Sequence, residues 1–189
     1  MKIFLPLLML ATTWTGSAQA VEFGQVQADK STLVFAYKQM GVPSDGKFRK
    51  FTAAVAFDPA RPDAASARID IDMASIDAGS REANDEVTGK QWFNVKDFPT
   101  ARFVSSAIKP LGGNRYEVAG KLTIKDKTLA LNAPFTFKQE GAVGVFDGNL
   151  TVKRLDYAIG TGAWADVGTL ANEVQIVFHI VATATPAKK

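Results

Sequence analysis

The chain has no cysteine and a single histidine, His179. Without cysteine there is no disulfide, no thiol nucleophile and no lipid-modified cysteine to anchor the chain. One histidine and no cysteine leave a zinc site without its usual ligands, and a Ser-His-Asp triad would have to use His179. That residue alternates with Phe178 and Ile180 and shares its face with Glu173, Gln175 and Val177, which reads as an exposed structural position. Net charge is also small, with 22 Lys and Arg against 19 Asp and Glu. No basic cluster is interleaved with aromatics, so nucleic acid is not an expected partner. No Ser/Gly-rich linker or low-complexity run divides the chain, and its length suits one domain. A domain of this size buries roughly 70% of its unfolded surface and needs no disulfide.

What is present begins with Lys2, an apolar run from Ile3 to Ala11, and Ala18-Gln19-Ala20. A basic start, a short apolar core and an Ala-x-Ala end describe a secretory signal peptide. The run is too short to span a bilayer, and no later run is long enough to be a membrane helix. Residues 1–20 are therefore expected to be cleaved, leaving 21–189 as a single exported domain in the periplasm.

From Val21 onward the chain alternates. Leu33, Phe35 and Tyr37 share a face, as do Phe51, Ala53, Val55 and Phe57. Ala67, Ile69, Ile71 and Met73 oppose Arg68, Asp70 and Asp72, so these charges read as a solvated outer face rather than a calcium or acid/base site. Tyr116, Val118, Gly120, Leu122 and Ile124 pair across Lys125-Asp126-Lys127 with Leu129, Leu131, Ala133, Phe135 and Phe137, a hairpin pattern. Phe146, Gly148, Leu150 and Val152 follow, then a loop with Gly160-Thr161-Gly162, which lacks the setting of a dinucleotide loop. Val174, Ile176, Phe178 and Ile180 form the last strand, and Thr183 to Lys189 reads as a frayed tail. Gly41, Pro43, Ser44, Asp45 and Gly46 read as a loop.

The exception to alternation is Ser80 to Pro99. Ser80 suits a helix N-cap and Glu82 the first turn, and Gly89 limits the helix or divides it in two. Trp92, Phe93, Val95 and Phe98 cluster after it, and alternation resumes at Thr100. The expected fold is all-β: an antiparallel barrel of about eight strands, with a short helical segment covering one side. Such a barrel is filled by side chains or just wide enough for one ligand, and periodicity cannot tell which.

Trp92-Phe93-Asn94-Val95, followed by Phe98-Pro99-Thr100-Ala101-Arg102-Phe103-Val104-Ser105, resembles the aromatic-pair and Phe-Pro-x-x-x-Phe-x-Ser signature of the YceI family. Ser31 to Phe35, Gly46 to Phe51, Ile71 to Asp77, Gly120 to Lys125 and Lys153 to Gly160 resemble further segments of that family in the same order. There are departures. Gln39 and Glu86 stand where many members carry histidine, and Tyr157-Ala158 replaces a common Phe-Gly pair. The resemblance implies a lipocalin-like, hollow barrel whose apolar interior takes an isoprenoid tail, with no cofactor beyond such a lipid or quinone.

On physical grounds Phe35, Tyr37, Phe57, Met73, Phe103, Phe135, Phe146 and Phe178 are the candidates for the inner face, since aromatic rings and methionine give adaptable apolar contact. Trp92 and Arg154 complete the candidate ligand set. Arg154 continues the parity of Leu150 and Val152, and a buried arginine needs a partner. It is read either as paired with Asp156 or another acid, or as touching a phosphate head group at the mouth. The expected function is a non-enzymatic periplasmic carrier of a polyprenyl phosphate, a quinone or a similar amphiphile. The alternatives are a filled barrel acting as an interaction or stress-response protein beside a membrane cytochrome, and an enzyme using carboxylates at the mouth. A homodimer is left open.

Overall fold

The computed structural model describes residues 21–186. The signal-peptide expectation for 1–20 lies outside the described residues. Eleven strands form one sheet, with every pairing antiparallel. They are β1 (Val21–Val26), β2 (Thr32–Gln39), β3 (Val42–Phe48), β4 (Phe51–Ala56), β5 (Ser66–Asp72), β6 (Ile76–Asp77), β7 (Thr100–Gly112), β8 (Arg115–Ile124), β9 (Lys127–Glu140), β10 (Val143–Lys153) and β11 (Glu173–Pro186). The order is β4-β5-β7-β8-β9-β10-β11-β2-β3-β6, with β1 added on β11.

Two connections roll this sheet up. At one end β1 pairs with the last residues of β11 and also bridges to the residue following β4: Phe23 N donates to Phe57 O at 2.8 Å and Phe57 N to Phe23 O at 3.2 Å. Elsewhere β5 turns through Met73–Ser75 into β6, which pairs with β3 at the far edge of the sheet. The two sheet edges are thereby tied by one continuous piece of chain. The fold is the all-β, lipocalin-like architecture expected. The strand count exceeds the expected eight because β1, β3 and β6 are short or were hidden.

β3 corrects the loop reading of residues 41–46. Met40 (φ 50°) and Gly41 (φ 80°) make a two-residue turn with both φ positive, the hairpin geometry that matches strand twist. Val42 to Lys47 then pair with β2. Pro43 is tolerated because that part of β3 has no second neighbour. The tail reading is also corrected: Thr183 to Pro186 pair with Gln25, Phe23, Glu22 and Val21 of β1.

Alternating residues of each strand turn inward. A bulge between Ser105 and Ala107 shifts β7 by one residue, so Ala101 and Phe103 face in above it and Ile108 below it. At the β1–β4 end the interior is solid. Phe57, fully buried, has its ring 4.8 Å from Phe137 and 5.2 Å from both Tyr116 and Phe146, and Phe23 packs edge-on to Phe137 at 5.1 Å.

Beyond that plug the rings lie along the wall. A Cβ on Gly148 would fall 2.3 Å from Phe178 Cζ, on Gly46 2.3 Å from Phe35 Cζ, and on Gly120 2.4 Å from Phe103 Cζ. Phe178 and Gly148 are direct cross-strand partners, as are Phe35 and Gly46. Each ring fills the space over a glycine instead of projecting across the barrel, a pairing known to rescue strand glycines.

The helix α1 (Arg81–Thr88) forms as its sequence suggests. Ser80 Oγ accepts from Ala83 N at 3.1 Å, Glu82 lies in the first turn and Gly89 ends it. Asn84 Oδ1 accepts from Ala78 N at 2.6 Å, which ties the helix to the chain leaving β6. No helix among the described residues is long and apolar enough to cross a membrane.

Alanine in place of a strand glycine ordinarily adds a fraction of a kcal/mol. Gly148→Ala is expected to do the reverse and lose about 1–3 kcal/mol, because the methyl group would meet both the Phe178 ring and Pro134 O. Urea unfolding measures it, and a more stable variant would contradict the ring-on-glycine account.

Candidate functional site

Between the aromatic plug and α1 the barrel encloses a cavity of about 320 Å³. That is at the lower end of the range for small-molecule sites. Its base is Phe57, Phe135, Phe146 and Ile108, and its sides include Leu33, Phe35, Phe103, Leu131, Ile176 and Phe178. Ala83, Glu86 and Val87 of α1, with Gln39, Trp92 and Trp164, stand at the other end. Glu86 and Gln39 are exposed there, which marks that end as the mouth.

All ten side chains singled out from the sequence stand on this wall: Phe35, Tyr37, Phe57, Met73, Trp92, Phe103, Phe135, Phe146, Arg154 and Phe178. They do not play one part. Phe57, Phe135 and Phe146 belong to the plug and touch the cavity only at its base. Phe35, Phe103 and Phe178 are the rings over glycines. Tyr37 follows Phe35 up β2, their rings 6.1 Å apart.

Among the described residues Arg154 does not have the carboxylate partner that one of its two sequence readings gave it. β10 ends at Lys153, and Arg154 opens a short 3-10 turn with only 2% of its surface exposed. Asp156 is not its partner, and among the described residues no carboxylate lies within ion-pair distance of it. Its guanidinium is ringed by backbone carbonyls instead. Nε donates to Ala171 O at 3.1 Å. Nη1 donates to Ile159 O and Gly160 O at 2.9 and 2.8 Å, and Nη2 to Trp164 O and Leu170 O at 2.7 and 2.8 Å. An arginine has five N–H donors, and all of them end on the chain between Ile159 and Ala171. Burial pulls its pKa below the usual arginine value, and the nearby Asp166 charge opposes that. Asp166 is in turn held below the usual carboxylate range by the Thr169 hydroxyl, by the Gly168 and Thr169 amides and by Arg154.

This loop is joined to the segment after α1. Gly160 N and Thr161 N both donate to Gln91 O at 2.9 Å. Gly160 has φ +68°, and a Cβ there would meet Arg154 Nη1 at 2.7 Å and Trp92 at 3.4 Å, so only glycine fits. Trp92 and Trp164 stand 5.2 Å apart, centroid to centroid. Their indole N–H groups converge on one atom: Trp92 Nε1 is 3.0 Å and Trp164 Nε1 2.8 Å from Glu86 Oε1. The mouth is therefore a latch of α1, the turn after it and the loop around Arg154.

Sequence reasoning missed Trp164 and left Glu86 and Gln39 unassigned. An isolated tryptophan in the glycine-rich Gly160–Ala165 stretch was the available signal for the first. For Glu86 and Gln39 the available signal was their standing where many members of the resembled family carry histidine; hydropathy alone does not separate Glu86 from Glu82 and Asp85. Among the described residues Glu86 is the one carboxylate on the cavity wall. The Arg68–Asp70–Arg102 cluster is exposed on the outer face, where Arg68 and then Arg102 hold Asp70 below the usual carboxylate range. His179 pairs with Asp147 at 2.6 Å, also on the outside.

The family model described as the YceI-like domain matches residues 25–182. Among solved structures, BcnA of Burkholderia cenocepacia superposes with a TM-score of 0.82 at 51% identity, covering 84% of this chain and 100% of that one. A polyisoprenoid binding domain from Saccharophagus degradans, implicated in plant cell wall breakdown, shares the fold with a TM-score of 0.68 at 15% identity, covering 88% of this chain and 99% of that one. A UPF0312 protein of Azotobacter vinelandii is 25% identical over 190 residues, covering 95% of this chain and 97% of that protein.

If Arg154 acts by capping carbonyls, charge alone will not replace it. Lysine has three donors, so Arg154→Lys leaves at least two buried carbonyls unmet and is expected to cost about 2–6 kcal/mol at about 1–3 kcal/mol each. The urea midpoint reads the loss, and an unchanged midpoint would refute the capping role.

Proposed function

We propose that this chain, which belongs to the YceI family, holds one long-chain, isoprenoid-type amphiphile in the barrel cavity and carries it through the periplasm without transforming it. The observation that carries this reading is the cavity itself. Its walls are apolar from Phe57 at the base to Trp92 at the mouth, and polar side chains gather only where the mouth opens. A site built for chemistry needs groups converging on a reacting atom, whereas this wall suits a tail. The likeness of fold to a polyisoprenoid binding domain supports the same ligand class. The periplasmic setting rests on the Lys2, Ile3–Ala11 and Ala18-Gln19-Ala20 pattern.

Magnitudes favour a long chain. Each buried CH₂ adds roughly 0.8 kcal/mol, so about ten give ~8 kcal/mol before the ~4–15 kcal/mol lost in immobilising the ligand. A short tail cannot offset that loss. A tail approaching twenty carbons can, with no specific hydrogen bond. The cavity volume, at the lower end of the range for small-molecule sites, favours one chain over a two-chain lipid and leaves part of a long tail to the mouth.

Gentle native mass spectrometry of protein purified from the periplasm, followed by solvent extraction, tests the proposal. The expected result is a bound species of single-chain amphiphile mass. Geranyl, farnesyl and geranylgeranyl alcohols are expected to bind the emptied protein with affinity rising along that series. A clean apo mass that stays apo with all three alcohols would contradict the carrier reading and return the protein to the interaction class.

A further inference from the structure

Among the described residues the cavity wall carries two charged side chains, Arg154 and Glu86, and only one of them is available to a ligand. All five Arg154 donors end on backbone carbonyls. A phosphate or carboxylate could engage the guanidinium only by displacing one of those carbonyls and leaving it buried and unpaired.

Glu86 is built differently. It sits at the exposed end of the cavity, and both indole N–H groups bond its Oε1. Among the described residues no donor is bonded to its Oε2. The two indoles fix the direction of the carboxylate, and an ionised carboxylate accepts through both oxygens. The acceptor is also flanked by the Trp92 and Trp164 rings, whose faces attract cations. Gln39, the other polar side chain at the mouth, is neutral and serves as donor or acceptor alike.

We propose that Glu86 is the head-group acceptor of the cavity, and that the site takes amphiphiles whose polar end donates hydrogen bonds, a primary ammonium above all, in preference to phosphates and carboxylates. The proposal rests on the carrier reading and names the polar end of its ligand. An ammonium at the mouth donates to Glu86 Oε2 in a charge-assisted hydrogen bond and lies against the indoles. Among the described residues of the cavity wall, an anionic head meets a carboxylate and no free cation. A hydroxyl donates without charge and falls between the two.

Three probes with one tail test this: geranylgeranylamine, geranylgeraniol and geranylgeranyl phosphate. Trp92 and Trp164 are the only tryptophans after Trp14, so intrinsic fluorescence reads the mouth. The amine is expected to bind about tenfold more tightly than the phosphate at low salt, with the gap narrowing as salt screens it. Glu86→Gln keeps the shape and an acceptor for the indoles while removing the charge. It is expected to bring the amine-to-phosphate ratio close to one, with the amine weakened more than geranylgeraniol and a cooperative thermal transition retained. Equal binding of all three heads, tighter binding of the phosphate, or an unchanged ratio in the folded Glu86→Gln variant overturns the head-group proposal and leaves the carrier reading in place. Failure of all three probes to bind overturns both.

Discussion

Three phenylalanine rings lying on three strand glycines keep the barrel open. Phe35, Phe103 and Phe178 are large enough to meet across the interior, and the opposite end shows what that produces, for there Phe57, Phe137, Phe146 and Tyr116 interlock into a solid plug. On the cavity side Gly46, Gly120 and Gly148 remove the side chain beneath each ring. The ring then lies along the wall and covers backbone that would otherwise face the lumen. The same residue type thus fills one end and lines the other; at the plug end too a glycine, Gly144, lies under the Phe23 and Phe137 rings, so glycine lets rings lie close on the sheet at both ends. An aromatic lining is bulky and smooth, so it offers area to a tail without presenting a polar group that a hydrocarbon would leave unpaired.

The mouth has the opposite character, because loop backbone must end its carbonyls somewhere. Between Ile159 and Ala171 five of them point at one buried guanidinium. A protonated arginine at that spot does what regular structure does elsewhere, satisfying carbonyls away from water. It also makes the loop a unit, with Gly160 close against the guanidinium and Trp164 held by its own carbonyl. Gln91 O receives two amides of this loop and Glu86 both indoles, so hydrogen bonds join the loop, the aromatic turn and α1. A positive charge at the rim is therefore a structural device, and the charge that faces the opening is negative.

The sequence made most of the barrel legible. Alternation identified the inward residues of β2, β5, β8, β9, β10 and β11, and Ser80 and Glu82 marked the start of α1, while Gly89 was read as either its end or a break within it. All ten candidate ligand residues came from inward parity or from the aromatic pair before Phe98, and period two is reliable where one face is buried. What stayed hidden depends on partners distant in sequence. β3 is a strand because β2 lies beside it, though its own Gly, Pro and Asp argue for a loop. The bulge after Ser105 moves Ile108 inward against strict alternation. Arg154 was expected to find a carboxylate, and the backbone that surrounds it only comes together through the loop's path. Trp164 reaches Glu86 across 78 positions of chain, a meeting no local pattern announces. The resemblance in the Trp92–Ser105 stretch carried the family, while hollow against filled depends on how inward rings from distant strands pack, which alternation does not report.

The central claim is a lumen that is apolar at its base, polar at its mouth, and open to one chain. A crystal structure of the protein with a single-chain amphiphile bearing bromine at the tail end tests it most directly, because anomalous scattering locates that end without interpretation of the rest. The account predicts one bromine peak against Phe57, Phe146 and Ile108, with the head beside Glu86. A bromine at the mouth would reverse the polarity of the site. Phe35, Phe103 and Phe178 collapsed into the lumen, with no bromine inside, would show that the barrel is filled and contradict the account.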